Sequence, residues 1–259
     1  MSRELVAHRV SACFGTGAHA RTIFSEVSVE VRAGEVVVVI GPNGVGKSTL
    51  LRLLAGLASP ASGAVHLDGQ PIAAMPARHR ARHVGVLLEV PDATFGFTVR
   101  ELVLLGRYPH LGRMGFASPD DRAHVESALE ALQLGALAER PYPTLSSGER
   151  QRVGIARLFC QDPAVMLLDE PTARLDPAHA LQVARLLRAA AASGKAVLAV
   201  VHDLDLAAKL ADRLVVLAGG HAETGSPDAM LTPERVARVW GVRARRVDDG
   251  RPALVLDPL

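Results

Sequence analysis

The 259-residue chain is short of cysteine and aromatic side chains, and each shortage closes off a class of function. Its two cysteines, Cys13 and Cys160, are too few for a disulfide framework and follow no metal-binding spacing, so both read as reduced core residues. Aromatics make up 3% of the chain and the formal net charge is only +2, which leaves few stacking platforms and no concentrated basic face; nucleic acid is not an expected partner. The longest apolar runs, such as residues 36–40 and 196–201, are far below the ~20 residues that a membrane-spanning helix needs. The N-terminal residues lack the basic-then-apolar pattern of a cleaved signal, so any role at a membrane is expected to come through a partner.

What is present is a globular composition, 49% hydrophobic and 22% charged, in a chain long enough to bury a large core of its own. The alternation in 27–31 predicts a half-buried strand, and the unbroken apolar run 36–40 a fully buried one. Leu50, Leu51, Leu53, Leu54 and Leu57 recur at helical spacing up to the turn signals at Ser59-Pro60 and Ser62-Gly63. From Arg78 to about Leu158 the pattern becomes helical, with Ser118-Pro-Asp-Asp121 as a helix start, and strands resume at 165–168, 196–201 and 214–217. Residues 181–192 and 227–240 read as helical, and 253–256 as a last strand. The expected organisation is a parallel sheet interrupted by a helical insertion.

Gly41-Pro-Asn-Gly-Val-Gly-Lys-Ser48 fits the pattern G-x-x-x-x-G-K-[ST] and lies between a predicted buried strand and a predicted helix. Glycines at 41, 44 and 46 let backbone N–H groups turn inward around a β-phosphate, and the helix N-terminus adds partial positive charge. Lys47 then reaches the β and γ oxygens, while the Ser48 hydroxyl is a ligand for Mg²⁺. The chain has three lysines against 26 arginines, and one of the three stands where a compact ammonium is wanted. No G-x-G-x-x-G occurs in this loop, which disfavours a dinucleotide site.

The predicted strand at 165–168 runs into Asp169-Glu170-Pro-Thr, delivering two carboxylates to the sheet edge at which open α/β folds bind ligands. If the chain stays extended, these neighbours point opposite ways, Asp169 toward a metal and Glu170 toward an attacking water. His202 follows the 196–201 strand in the same manner and is expected on the same rim.

With Leu145-Ser-Ser-Gly-Glu-Arg-Gln-Arg152 shortly before the acidic strand, these motifs resemble the nucleotide-binding subunits of ABC transporters, over nearly the whole chain. The resemblance implies an α/β P-loop NTPase (RecA-like) fold, with a mostly parallel sheet core, an antiparallel N-terminal β-subdomain and an inserted α-helical subdomain. It divides the chain into a nucleotide-binding core, residues 1–88 plus 159–259, and a helical subdomain, 89–158. It also implies a two-copy head-to-tail dimer in which Ser146, Ser147, Gly148 and Glu149 close on the ATP held by the other copy. Phe14 matches the aromatic that stacks on adenine. Gly41, Pro42, Asn43, Gly44, Val45, Gly46, Lys47, Ser48 and Thr49 match the phosphate loop, and Asp176 belongs to the loop that crosses the dimer. Glu170 matches the catalytic carboxylate and His202 the residue on the γ-phosphate, with Lys47 completing the catalytic set. Ser48, Asp169 and Glu89 would serve Mg²⁺. Three positions depart from the family pattern: Glu89 stands for a glutamine, Ser147 for a glycine and Glu149 for a glutamine. Ser146-x-x-Glu149 also fits a helix capping box.

The stretch 97–110, the tail 231–242 and Gly250-Arg-Pro252 resemble the importers of iron-siderophore, haem and cobalamin complexes. That subclass implies integral-membrane permease partners, an extracytoplasmic substrate-binding protein engaged indirectly, and residence on the cytoplasmic face of the cell membrane. A zinc or manganese importer subunit and a regulatory ATP-binding module with little turnover remain open alternatives. The basic run 78–83 reads as a solvated helix face, and Trp240 as a packing anchor.

Overall fold

A computed structural model describes residues 4–15, 21–88, 96–112, 115–248 and 252–258. At its centre is a six-stranded sheet built on Val36–Ile40 (β3), whose five residues are all buried. The other members are Val84–Leu87 (β6), Val165–Asp169 (β7), Ala196–Val200 (β8), Arg213–Ala218 (β9) and His221–Gly225 (β10), in the spatial order β10-β9-β3-β8-β7-β6. Every pairing is parallel except β9 with β10, which the Gly219-Gly220 turn joins as an antiparallel hairpin.

A second, antiparallel sheet contains Glu4–Phe14 (β1), Arg21–Arg32 (β2), Ser62–Leu67 (β4) and the short Gln70–Pro71 (β5), in the order β2-β1-β4-β5. The period-2 alternation of β3 divides the apolar residues between two cores. Val37 and Val39 pack with Phe24, Val29, Val65 and Leu67 from the antiparallel sheet, and with Leu50 and Leu54 of the first helix. Val36, Val38 and Ile40 face the opposite core, shared with Leu102, Leu129, Ile155 and Leu187.

The helix after the glycine loop, Lys47–Leu54 (α1), stops three residues short of the last apolar position in its pattern. Gly56 is left-handed (φ 65°) and closes the helix by donating to the Leu53 carbonyl at 2.9 Å, so Leu57 is left exposed. After Ala77–His83 (α2) and β6 come Val99–Leu104 (α3), Pro119–Ala131 (α4) and Ser147–Gln161 (α5), which form the helical insertion. Thr98, Ser118 and Ser146 cap these three helices, each in a reciprocal capping box with the acidic residue three positions on. Arg107 and Asp121, both buried, form an ion pair at 2.8 Å, and Arg107 also donates to the Cys160 carbonyl at 3.0 Å, which ties the segment before α4 to α5. Pro177–Ala192 (α6) and Leu204–Leu210 (α7) return the chain to the sheet.

Four expectations are corrected. The segment from Arg78 contains β6, so the helical texture is broken by an edge strand of the central sheet. The tail is two short helices, Pro227–Met230 (α8) and Pro233–Trp240 (α9), because Pro233 restarts the helix with Thr232 as its cap. Cys13 is exposed and only Cys160 belongs to the core, since Cys13 lies near the end of β1, past the stretch that pairs with β4. Glu170 is left-handed (φ 49°), so it diverges from Asp169 through a turn at the end of β7 and not through the pleat of an extended strand. The final strand is found as expected: Val242–Asp248 (β11) pairs with Pro252–Pro258 (β12) as an antiparallel hairpin. Trp240 is partly buried and packs against the core, and α2 contributes no buried residue.

Candidate functional site

Parallel order decides where the chemistry gathers. β3, β8 and β7 are adjacent, and Val200 is in register with both Val39 and Asp169, so the loops after all three strands leave the sheet side by side. The Val201 N–H continues the pattern by donating to the Val39 carbonyl at 3.2 Å, which carries the chain on to His202. Asp203 then caps α7, accepting from the N–H groups of Asp205 and Leu206 at 2.9 and 3.1 Å, and so fixes the backbone on the far side of His202.

Two glycines of the loop after β3 are required by close approach. A Cβ at Gly41 would lie 2.1 Å from the Leu217 carbonyl oxygen of β9. At Gly46, left-handed at φ 100°, it would lie 2.5 Å from Ile23 Cγ2 of β2. The loop is thus pressed between the sheet and the antiparallel subdomain, and α1 begins directly after it. Lys47 is only 7% exposed, and its Nζ donates to the carbonyls of Gly41 at 2.8 Å and Pro42 at 2.9 Å. Burial pulls its pKa below the ordinary lysine value, opposed by the charges of Glu170 and Asp169.

A cleft of about 460 Å³ opens above this loop. Asn43, Gly44, Gly46, Lys47, Ser48 and Thr49 form one wall, Glu170 and His202 a second, and Phe14 with Arg21, Thr22 and Ile23 a third. His202 Nε2 and Glu170 Oε1 are 2.6 Å apart, each side chain about two-fifths exposed (42% and 44%), so both can meet a ligand and water. Phe14 is 78% exposed at this cleft, an apolar ring that packing among the described residues does not account for. Asp169 presents a buried Oδ1 that has no hydrogen-bond partner among the described residues. An unpaired buried carboxylate oxygen costs free energy unless something satisfies it, and a carboxylate and a hydroxyl such as that of Ser48 are the hard oxygen donors that suit Mg²⁺.

The expected site residues are not all gathered in this cleft. Ser146, Ser147, Gly148 and Glu149 form the start of α5 and do not line it; Ser146 N donates to Glu149 Oε2 at 2.7 Å, completing the capping box. That backbone bond is the main cause of the lowered Glu149 pKa. Asp176 caps α6, accepting from His179 N at 3.0 Å and pairing with His179 Nδ1 at 2.6 Å. Glu89, and Phe95 from which its register is counted, lie outside the described residues. Residue order alone does not single out Arg21, Thr22, Ile23 or Gln151. The first three reach the cleft through the β1–β2 pairing, and Gln151, in α5, donates to the Glu170 and Pro171 carbonyls at 3.0 and 3.3 Å.

A strand, a glycine-lined loop and a helix, with a buried lysine facing two carboxylates, define a phosphate-loop nucleotide-binding protein. The family model for the ABC transporter matches residues 24–173. The chain is 43% identical over 241 residues to the hemin import ATP-binding protein HmuV of Gloeobacter violaceus, covering 90% of this chain and 87% of that one. It is 37% identical over 239 residues to the iron(3+)-hydroxamate import ATP-binding protein FhuC of Bacillus subtilis, covering 92% and 89%. Among solved structures, a dimeric ATP-binding cassette in a post-hydrolysis state, bound to ADP and Pi, superposes with a TM-score of 0.78 at 26% identity, covering 86% of this chain and 98% of that one. The chain therefore belongs to the ABC transporter family and is an ABC-type transport ATPase. No helix among the described residues is long and apolar enough to cross a membrane.

Proposed function

We propose that the chain is the energy-coupling subunit of an ABC importer for iron-siderophore, haem or cobalamin complexes, working as a head-to-tail pair on the cytoplasmic face of the membrane through permease subunits. The observation that carries the catalytic part is the 2.6 Å contact between Glu170 and His202 at a cleft whose opposite wall is the Lys47 loop. The import names of the relatives support the cargo class, and the dimeric cassette supports the pairing. An extracytoplasmic binding protein would be engaged only through the permease.

In this reading Asn43 to Thr49 hold the triphosphate of ATP, Lys47 leaves the Gly41 and Pro42 carbonyls for the β and γ oxygens, and Phe14 stacks on the base. Ser48 and Asp169 would hold Mg²⁺, which would supply charge neutralisation at the triphosphate. Glu170 orients a water for in-line attack on the γ-phosphorus and takes its proton as the bond to the β–γ bridging oxygen breaks and ADP leaves. His202 swings from Glu170 to the transferring group. Ser146 and Gly148, outside this cleft, meet the nucleotide of the other copy, which explains why they stand at the start of α5 and not beside Lys47. The division into a core, 1–88 plus 159–259, and a helical subdomain, 89–158, belongs to the same proposal; α5 crosses that boundary and ends at Gln161.

Glu170→Gln tests the assignment. It keeps the size and hydrogen-bonding reach of the side chain but cannot accept the proton, so it should bind ATP, accumulate as a dimer in size-exclusion chromatography, and hydrolyse about 10²-fold or more slowly. Turnover at the parental rate would refute the role of Glu170.

A further inference from the structure

Gln151 has no part in the chemistry described so far, yet its side chain is buried at the back of the site. It is 7% exposed, and both of its donated bonds go to one short piece of backbone, the Glu170 and Pro171 carbonyls. One turn earlier on α5, Gly148 lies so close to the same loop that a Cβ there would be 2.9 Å from the Arg174 carbonyl oxygen. Positions three apart share a helix face, so a single face of α5 meets the 170–174 backbone at both its ends.

That backbone is unusual. Glu170 (φ 49°) and Arg174 (φ 65°) are both left-handed, a conformation that non-glycine residues hold only when their surroundings impose it. On the sheet side Glu170 N donates to the Val200 carbonyl at 3.1 Å, and on the other side Gln151 holds its carbonyl. With Glu170 held at its N–H and at its carbonyl, the direction of its side chain follows from the two anchors.

We propose that Gln151 is a positioning residue for Glu170, and that it makes the start of α5 and the carboxylate of the same chain move as one piece. The inference rests on the reading of Glu170 as the proton acceptor and of 146–149 as the segment that meets the other copy's nucleotide. A shift of that segment on nucleotide contact reaches Glu170 through about one turn of rigid helix, with no need for a path across the dimer.

The test uses the full chain with Mg-ATP. Gln151→Met preserves length and packing and removes the donor; Gln151→Glu preserves shape and opposes the two carbonyls with an acceptor. Single-turnover hydrolysis per bound nucleotide should fall about tenfold or more in both variants, while the Kd for ATP stays within about threefold of the parent, a split that loss of folded protein alone does not produce. Gln151→Met added to Glu170→Gln should slow hydrolysis no further, because both changes act on the same group. A Gln151→Met variant that hydrolyses at the parental rate beside an inactive Glu170→Gln overturns this inference alone. Parental turnover by Glu170→Gln overturns the reading of Glu170 and this inference with it. Should Gln151→Met not fold, the same comparison with Gln151→Glu decides, its melting temperature reporting the folded fraction.

Discussion

Lys47→Met separates what the lysine does for the fold from what it does for the nucleotide. The replacement keeps the unbranched apolar stem and deletes a 7%-exposed ammonium that donates at 2.8 and 2.9 Å to the carbonyls of its own loop. A bond from a charged donor contributes roughly 1.5–3 kcal/mol, but removing the charge from water costs several kcal/mol, and burial already pulls the pKa down despite two nearby carboxylates. These opposing terms nearly cancel, so the Met variant should match the parent in unfolding free energy to within about 1 kcal/mol. In binding, the ammonium exchanges two bonds to neutral carbonyls for two to anionic phosphate oxygens, which are stronger. The variant loses that difference, about 1.5–3 kcal/mol, or roughly one to two powers of ten in Kd. Titration calorimetry with Mg-ATP beside a denaturant melt reads both quantities on one preparation. Binding within about threefold of the parent would refute the assignment of Lys47 to the phosphates.

Other outcomes follow from the packing. Gly46→Ala forces a left-handed alanine against Ile23 and should cost about 2–6 kcal/mol as strain and overpacking combined, so an unchanged denaturant midpoint would contradict the close approach of loop and β2. Asp121 is held at a pKa of about 2, below its ordinary value of 3.8, chiefly by the Arg107 hydrogen bond. Because the folded value is the lower one, the stabilisation is present above about pH 4 and lost as pH falls toward 2; it amounts to about 2 kcal/mol at neutral pH, and Asp121→Asn should forfeit at least that in denaturant melts at pH 7 and flatten the acid limb of stability. Burial pushes the Cys160 thiol up to about 12 while Cys13 is exposed, so a thiol reagent at pH 8 should modify one cysteine in the native protein and two after unfolding.

Much of the site can be read from residue order because its parts are local. The loop 41–48 lies in its own strand–turn–helix context, and the acidic pair and His202 each follow a short apolar run bounded by turn residues, the pattern of a buried strand. The remaining features are non-local. β6 is four residues long, follows a basic helical run, and becomes a strand because β7 lies beside it with parallel register Val84 to Val165. Arg21 to Ile23 reach the cleft only because β2 folds back on β1. Nothing near Gln151 in sequence indicates that its amide meets a carbonyl nineteen residues later.

Taken alone, residue order determines the phosphate loop, the strands that feed the rim, the capped helix starts and the family pattern, since spacing and side-chain chemistry within a few residues suffice for each. Tertiary structure decided the rest: the β3-β8-β7 order that brings three loops together, the left-handed turn that aims Glu170 at His202, the buried Asp169 oxygen with no partner among the described residues and the exposure of Cys13. Those depend on which surfaces meet across long stretches of chain, and that is set by the packing of two cores on the faces of one sheet.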